Sequence, residues 1–356
     1  MASKSPLEPL NAFGGFGHIL DVLREVDVRA IRNVAETQFI FAVTSRDTVL
    51  ADHLVSLLYR GERDHDIPPS SAAISLPLNE KNALALADIV VLLVPAEGDA
   101  LRELDLLREL EAQHIPALVC ALGGEVSEST LHAKWKLASV VVLPTIDGTL
   151  DDEAATHAIV RGVRALKALD DVGLARHLPA FRHTVSSALI EDVAFTNAAY
   201  SLGAGVLAIN PLTGLPLNVA DIVILTKNQA ILAYKIALSM GLTSDFRTIM
   251  PQLAAVVGGG FLFRQIARGL IGLLPGLGIL PKVAVSFAGT YATGEAVRRW
   301  CAYGERLNRA ALREVYEQAL SRGKAIARTL AARASEKLPL RRSARSGSEQ
   351  GSTSSS

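Results

Sequence analysis

The period of the hydrophobic positions changes twice along this chain. From Phe16 to Glu36, Ile19, Leu23, Val26, Ala30, Ile31 and Val34 recur at helical spacing, with Asp21, Arg24, Glu25 and Arg32 opposite. That pattern predicts an amphipathic helix. From Gln38 to Leu169, short continuous apolar runs alternate with helical ones. The runs predict strands over Phe39–Val43, Ala73–Leu76, Ile89–Val94, Ala117–Leu122 and Val140–Leu143. Between them lie helices over Val49–Tyr59, N-capped by Asp47, over Gly98–Gln113 and over Asp151–Leu169. Continuous apolar strands alternating with helices imply a parallel sheet covered on both faces.

Beyond a linker at Gly173–Arg182 the strand pattern stops. Helices are predicted over Val185–Ile209, over Asn218–Met240 ended by Gly241, after a cap at Ser244, and over Arg298–Leu338. Within this half, Leu253–Val297 is the most apolar stretch. Gly258, Gly259 and Gly260 open it, Leu274-Pro275-Gly276-Leu277-Gly278 hinges it, and small residues (Gly289, Ala292, Gly294, Ala296) close it. Small residues let helix backbones approach closely. Arg264 and Arg268, four apart, share a face of the first run. The uncharged remainder is shorter than the roughly 20 apolar residues that a bilayer core demands. The stretch therefore reads as a re-entrant or interfacial hairpin, or as the core of a very apolar helical domain. The implied organisation is a tail and amphipathic helix at 1–37, an α/β domain at 38–170, a linker at 171–184, a helical domain at 185–338 and a disordered tail at 339–356.

Composition sharpens this picture. The chain has 356 residues, of which 49% are hydrophobic but only 5% aromatic, and its formal net charge is +0. Mean hydropathy is +0.29. Apolarity carried by Ala, Leu, Val and Gly suits close helix packing more than an aromatic-lined cleft. Basic residues outnumber acidic ones from Arg298 to Arg345, which fits a cytoplasmic, lipid-facing segment or a solvated helix and tail. Cys120 and Cys301 match no metal or redox spacing and point to a reducing compartment.

Other clusters carry less chemistry. Asp151, Asp152 and Glu153 beside His157 read as helix-start acids. His177 and His183 flank the linker and read as solvated. Asp221, Lys227, Asn228, Gln229 and Lys235 form a polar cluster on an apolar helix. Asp221 and Asn228, seven apart, share a helical face with Leu225 and Leu232. The cluster reads first as part of an amphipathic helix lying outside the bilayer, second as a polar lining in contact with Glu191, Asp192, Arg264 or Arg268.

The order of elements resembles bacterial proteins with an Era-like GTPase domain followed by a helical domain of unknown function, number 697. The resemblance is carried by FGHILDVLREVDVRAIRNVAE, FIFAV, ADIVVLLVPAEGD, PLTGLPLNVADIVILTKNQAILAYKIALSMG and GGGFLFRQIARGLIGLLPGLGILPKVAVSFAGTYATGEA, over about 16–335. It implies a P-loop GTPase-like sheet joined to a membrane-associating, all-α domain. The nucleotide motifs of that family depart here. A P-loop needs glycines to wrap phosphate, a Lys to neutralise it and a hydroxyl for Mg²⁺. This chain has Thr44-Ser45-Arg46-Asp47-Thr48 instead. SLPLNEKN replaces Asp-x-x-Gly, and Gly123-Gly124-Glu125 stands where Asn-Lys-x-Asp belongs. Thr44, Ser45 and Thr48 remain as a weak anion site at a helix N-terminus.

The expectation is a non-enzymatic scaffold or recruitment protein on the cytoplasmic face of a bacterial inner membrane. It would use no cofactor, metal or nucleic acid; its partners would be membrane lipid, a membrane protein, another protein or a second copy. The alternatives are an atypical GTP-binding protein or NTPase, and a transporter- or channel-like element.

Overall fold

A computed structural model describes residues 28–63, 72–95, 99–123, 135, 138–146, 148–207, 219–256 and 280–337; within it the side chains of 203–207, 219–223 and 334–337 are left out. The first half runs α1 (Arg29–Glu36), β1 (Phe41–Ser45), α2 (Thr48–Leu58), β2 (Ala73–Pro77), α3 (Lys81–Leu84), β3 (Ile89–Pro95), α4 (Leu101–Ala112), β4 (Ala117–Leu122), β5 (Ser139–Leu143), β6 (Thr145–Ile146), β7 (Thr149–Leu150) and α5 (Asp152–Leu166). Strands β1 to β5 form one parallel sheet in the order β2-β1-β3-β4-β5. This is one of the two common doubly wound orders.

Alternation along each strand divides the core between two layers. Phe41, Val43, Ile89, Val91, Leu93, Leu118 and Cys120 pack with α2 and α5. Ala42, Val90, Leu92, Val94, Val119 and Ala121 pack on the other face with α3 and α4. The parallel sheet with helical cover is therefore as the runs of apolar residues predict. The short antiparallel β6–β7 hairpin, turned at Gly148 (φ +78°), carries no apolar run that would have revealed it.

The second half is helical throughout its described part. It contains α6 (Asp171–His177), a 3₁₀ turn at Pro179–Phe181, α7 (Arg182–Leu207), α8 (Val219–Ser239), α9 (Phe246–Val256), α10 (Leu280–Tyr303) and α11 (Arg309–Lys337). Helices α7, α8, α10 and α11 form a bundle with α10 at its centre. Nearly the whole length of α10 is buried, including Val283, Phe287, Gly289, Ala292, Gly294 and Val297. Thus the second apolar run of the predicted hairpin is covered by protein. Its first run, its hinge, Arg264 and Arg268 lie outside the described residues, as do the first turns of the predicted N-terminal helix and the tail. Among the described residues, no helix is long and apolar enough to cross a membrane.

Four expectations need correction. The predicted helix over Arg298–Leu338 is two helices, because Gly304 takes φ +70°, ends α10 and lets α11 fold back on it. The stretch read as a linker is ordered as helix α6. Asp170 caps it, accepting from the backbone N–H groups of Val172 (2.8 Å) and Gly173 (3.2 Å), and Val172, Leu174 and Ala175 are buried. Asp245 rather than Ser244 caps α9, accepting from the Arg247 N–H at 3.2 Å. His177 is buried, 2% exposed, whereas His183 is exposed as expected.

His177 packs edge-on to Phe39 at 5.4 Å between ring centroids. Burial, reinforced by Arg176 and Arg182, lowers its pKa; a backbone hydrogen bond with Ala35 opposes the shift. A histidine held neutral in the fold binds protons more readily when unfolded. Its stabilising effect is complete above the unfolded pKa of about 6.5 and is lost as pH falls below that value. Urea midpoints measured from pH 8 to pH 5 are expected to fall below pH 6.5, and to fall less steeply in His177→Gln.

Close helix approach is built on glycine. A Cβ on Gly323 of α11 would stand 2.7 Å from the backbone oxygen of Ala284 on α10. Gly→Ala inside a helix normally stabilises by about 1 kcal/mol. Here the sign reverses, because backbone cannot rotate away as a side chain does. Gly323→Ala is expected to destabilise by about 1–3 kcal/mol in chemical denaturation.

Candidate functional site: the crevice after the first strand

In a doubly wound sheet, ligands bind beyond the carboxyl ends of the strands where the strand order reverses. Here that point lies between β1 and β3. The chain leaves β1 through Ser45, Arg46 and Asp47 and enters α2 directly. Asp47 caps α2, its Oδ1 accepting from the N–H groups of Val49 (3.0 Å) and Leu50 (3.2 Å). The Ser45 hydroxyl accepts from the Asp47 N–H at 3.1 Å. The N-terminal amides that would cradle a phosphate thus already hold a carboxylate.

Arg46 reaches across the crevice. Its Nε and Nη2 donate to Glu103 Oε1 and Oε2 of α4 at 2.5 and 2.6 Å, and Nη2 also donates to the Asp99 carbonyl at 3.0 Å. Glu103 is 0% exposed. Such a two-pronged pair orients and neutralises both groups. The hydrogen bond to Glu103 outweighs desolvation and raises the Arg46 pKa, so the guanidinium stays charged and engaged. A phosphate entering between β1 and β3 would face two protein carboxylates and an arginine that is already paired.

The sequence-derived anion candidates are scattered in character. Thr44 is 0% exposed, and its hydroxyl has no hydrogen-bond partner among the described residues. Ser45 is buried and engaged with backbone, and Thr48 is exposed.

At the start of α5, Asp151 caps the helix through the Ala154 N–H at 3.1 Å. Asp152 pairs with His53 at 2.7 Å, while Glu153 and His157 are exposed. Among the described residues, no group of three or more His, Cys, Asp or Glu side chains is placed to hold a metal. Both cysteines are free and buried, and burial raises their pKa values.

The polar cluster on α8 divides. Lys227 is exposed, and the side chain of Asp221 lies outside the described set. Asn228 and Gln229 turn inward, Asn228 on the face it shares with Leu225. Asn228 Nδ2 donates to Asn197 Oδ1 on α7 at 2.7 Å. Asn197 Nδ2 donates to Thr290 Oγ1 on α10 at 2.9 Å, and Gln229 Nε2 reaches the same oxygen at 3.3 Å. Ser286 Oγ donates to the Asn197 carbonyl at 3.0 Å. This layer ties three apolar helices at one level and fixes their register, as buried polar groups do when every member is satisfied. The partners expected from sequence, Glu191 and Asp192, are not in it; Glu191 pairs with Arg322 of α11 at 2.6 Å.

A second charged cluster joins the sheet to the bundle. Glu62, just after α2, accepts from Arg298 Nη1 at 2.7 Å and from the Tyr303 hydroxyl at 2.9 Å. Arg298 also donates to Glu295, which Arg299 contacts too. Arg63 Nη1 donates to the Cys301 carbonyl at 2.9 Å, and the buried Arg182 donates to the Glu62 carbonyl at 2.7 Å.

Neither Glu103 nor Glu62 was singled out from sequence. A signal for the first existed, because Glu103 shares the helical stripe of Leu106, Leu107 and Leu110 and so sits at a core position. The second left none, since its partner is 236 residues away. Comparison of the chain with protein-family models, with curated proteins and with solved structures finds no match.

Proposed function

We propose that this chain is a non-enzymatic, membrane-associated scaffold or recruitment protein built on a pseudo-GTPase sheet, related to the Era-like proteins with a 697-type helical domain. One observation carries the reading. The place where a phosphate loop would open is filled by Asp47 on the α2 amides and by the Arg46–Glu103 pair across the crevice. The fold keeps the sheet that positions a nucleotide but gives its anion-binding groups to its own carboxylates. The apolar bundle, pinned to that sheet through Glu62, supplies a surface for membrane lipid or a membrane protein at the cytoplasmic face.

Purified full-length chain is expected to hydrolyse GTP and ATP no faster than buffer with Mg²⁺, and to pellet with bacterial membranes until washed with high salt. A Mg²⁺-dependent rate lost in Glu103→Gln would make the chain an atypical NTPase instead. Recovery entirely in the soluble fraction would end the membrane half of the reading.

A further inference from the structure

The polar layer at Asn197, Asn228, Gln229 and Thr290 divides the bundle into two halves of different charge. The half nearer the sheet carries carboxylates as well as cations: Glu191, Asp192 and Glu295 beside Arg182, Arg298 and Arg299. Arg322 stands at the level of the layer, 5.1 Å over the Tyr291 ring. Beyond it, the described parts of α7, α8, α10 and α11 run on toward one pole. Lys227, Lys282, Lys324, Arg328 and Arg333 lie there, and among the described side chains beyond the layer there is no carboxylate. Lys227, Lys324, Arg328 and Arg333 are exposed and form no ion pair with a described residue. Exposed apolar side chains accompany them: Leu280 is 41% and Ile224 38% exposed.

We infer that this distal pole is a docking surface for an anionic lipid bilayer. The inference rests on the membrane-associated reading and says which end of the molecule meets the lipid. Lys227, Lys324, Arg328 and Arg333, with no acidic partner among the described residues, beside exposed aliphatic side chains, match a surface with negative headgroups over an apolar interior. Since no described helix is long and apolar enough to cross the bilayer, the described part of the chain would lie on it. The opposite end of the bundle is fastened to the sheet by Arg298–Glu62 and Arg63–Cys301, so the sheet would face away from the membrane.

The test is co-sedimentation of the full chain with vesicles of phosphatidylcholine alone and of phosphatidylcholine with phosphatidylglycerol. Binding is expected to the mixed vesicles only, and to weaken as salt is raised. The triple variant Lys324→Gln, Arg328→Gln, Arg333→Gln is expected to bind on the order of a hundredfold more weakly. Glutamine is a good helix former, so its helix content and urea midpoint should match the parent. A matched loss of charge on the sheet domain, Arg102→Gln, Arg108→Gln, Arg161→Gln, is expected to leave vesicle binding unchanged. If the triple variant binds as the parent does, the docking face is wrong while membrane association stands. If the parent ignores both vesicle types yet pellets with native membranes, the lipid claim fails and a protein receptor takes its place. Tighter, equally charge-dependent binding to duplex DNA would overturn the lipid assignment as well.

Discussion

Arg298→Ala is expected to destabilise the protein by about 3–5 kcal/mol. The reason is what it leaves behind. Arg298 is 12% exposed and meets Glu62, 10% exposed, and Glu295, 12% exposed. Burial opposes its charge, yet hydrogen bonds and attraction from the two carboxylates outweigh that and raise its pKa. Glu295 shows the mirror image: desolvation pushes its pKa up, Arg298 and Arg299 pull it down further, and the net shift is downward. Removing the arginine takes the neutralising cation from Glu62 and leaves the carboxylate to the Tyr303 hydroxyl, next to backbone that Arg63 and Arg182 contact. Arg299→Ala is the internal control. Its side chain is 42% exposed and makes one ion pair among the described residues, so its loss should stay within about 1 kcal/mol. Urea unfolding followed by fluorescence reads both, since Trp300 neighbours the cluster. Equal, small effects of the two substitutions would mean that Glu62 and Arg298 do not hold the sheet to the bundle.

Asn197→Leu should cost about 2–5 kcal/mol for a different reason. Its side chain accepts from Asn228 and donates to Thr290 at the centre of three helices. Leucine has the same branched shape and heavy-atom count but offers no partner, and each buried polar group left unmatched costs about 1–3 kcal/mol. Replacing Thr290 by valine in the same chain removes one orphan, so the double variant should be less destabilised than the sum of the singles. Strict additivity in urea unfolding would show that the hydrogen bonds across this layer are not coupled.

How far these features were legible depended on how local their causes are. The sheet strands were read within about two residues, because a buried parallel strand is a continuous apolar run and needs no partner to be recognised. The cap at Asp47 and the stop at Gly241 were equally local, one a side chain over free amides, the other a left-handed residue at φ +76°. Errors arose where tertiary contact overrides local pattern. The basic stretch after Arg298 has helical composition throughout, and only Gly304 and the folding of α11 onto α10 break it. The stretch around Gly173 looked like a linker because short helices with few apolar residues leave a weak period. The face of Asn228 was legible from its spacing to Leu225 and Leu232, but not its partner, because Asn197 is 31 residues away in the chain. That the loop after β1 lacks the glycines and lysine of a phosphate loop was plain from the sequence, but the pairing of Arg46 with Glu103 was not, since Glu103 comes from a different βα unit.

The central claim is that the crevice between β1 and β3 is closed to nucleotide by the protein's own charges. Isothermal titration calorimetry of the purified full-length chain with GTP, GDP and ATP, each with Mg²⁺, addresses it directly. The account predicts no saturable heat for any of the three, with dissociation constants weaker than about 1 mM. A saturable micromolar isotherm that disappears in Asp47→Ala or Glu103→Gln would show that these carboxylates serve a bound nucleotide, and the claim would fall.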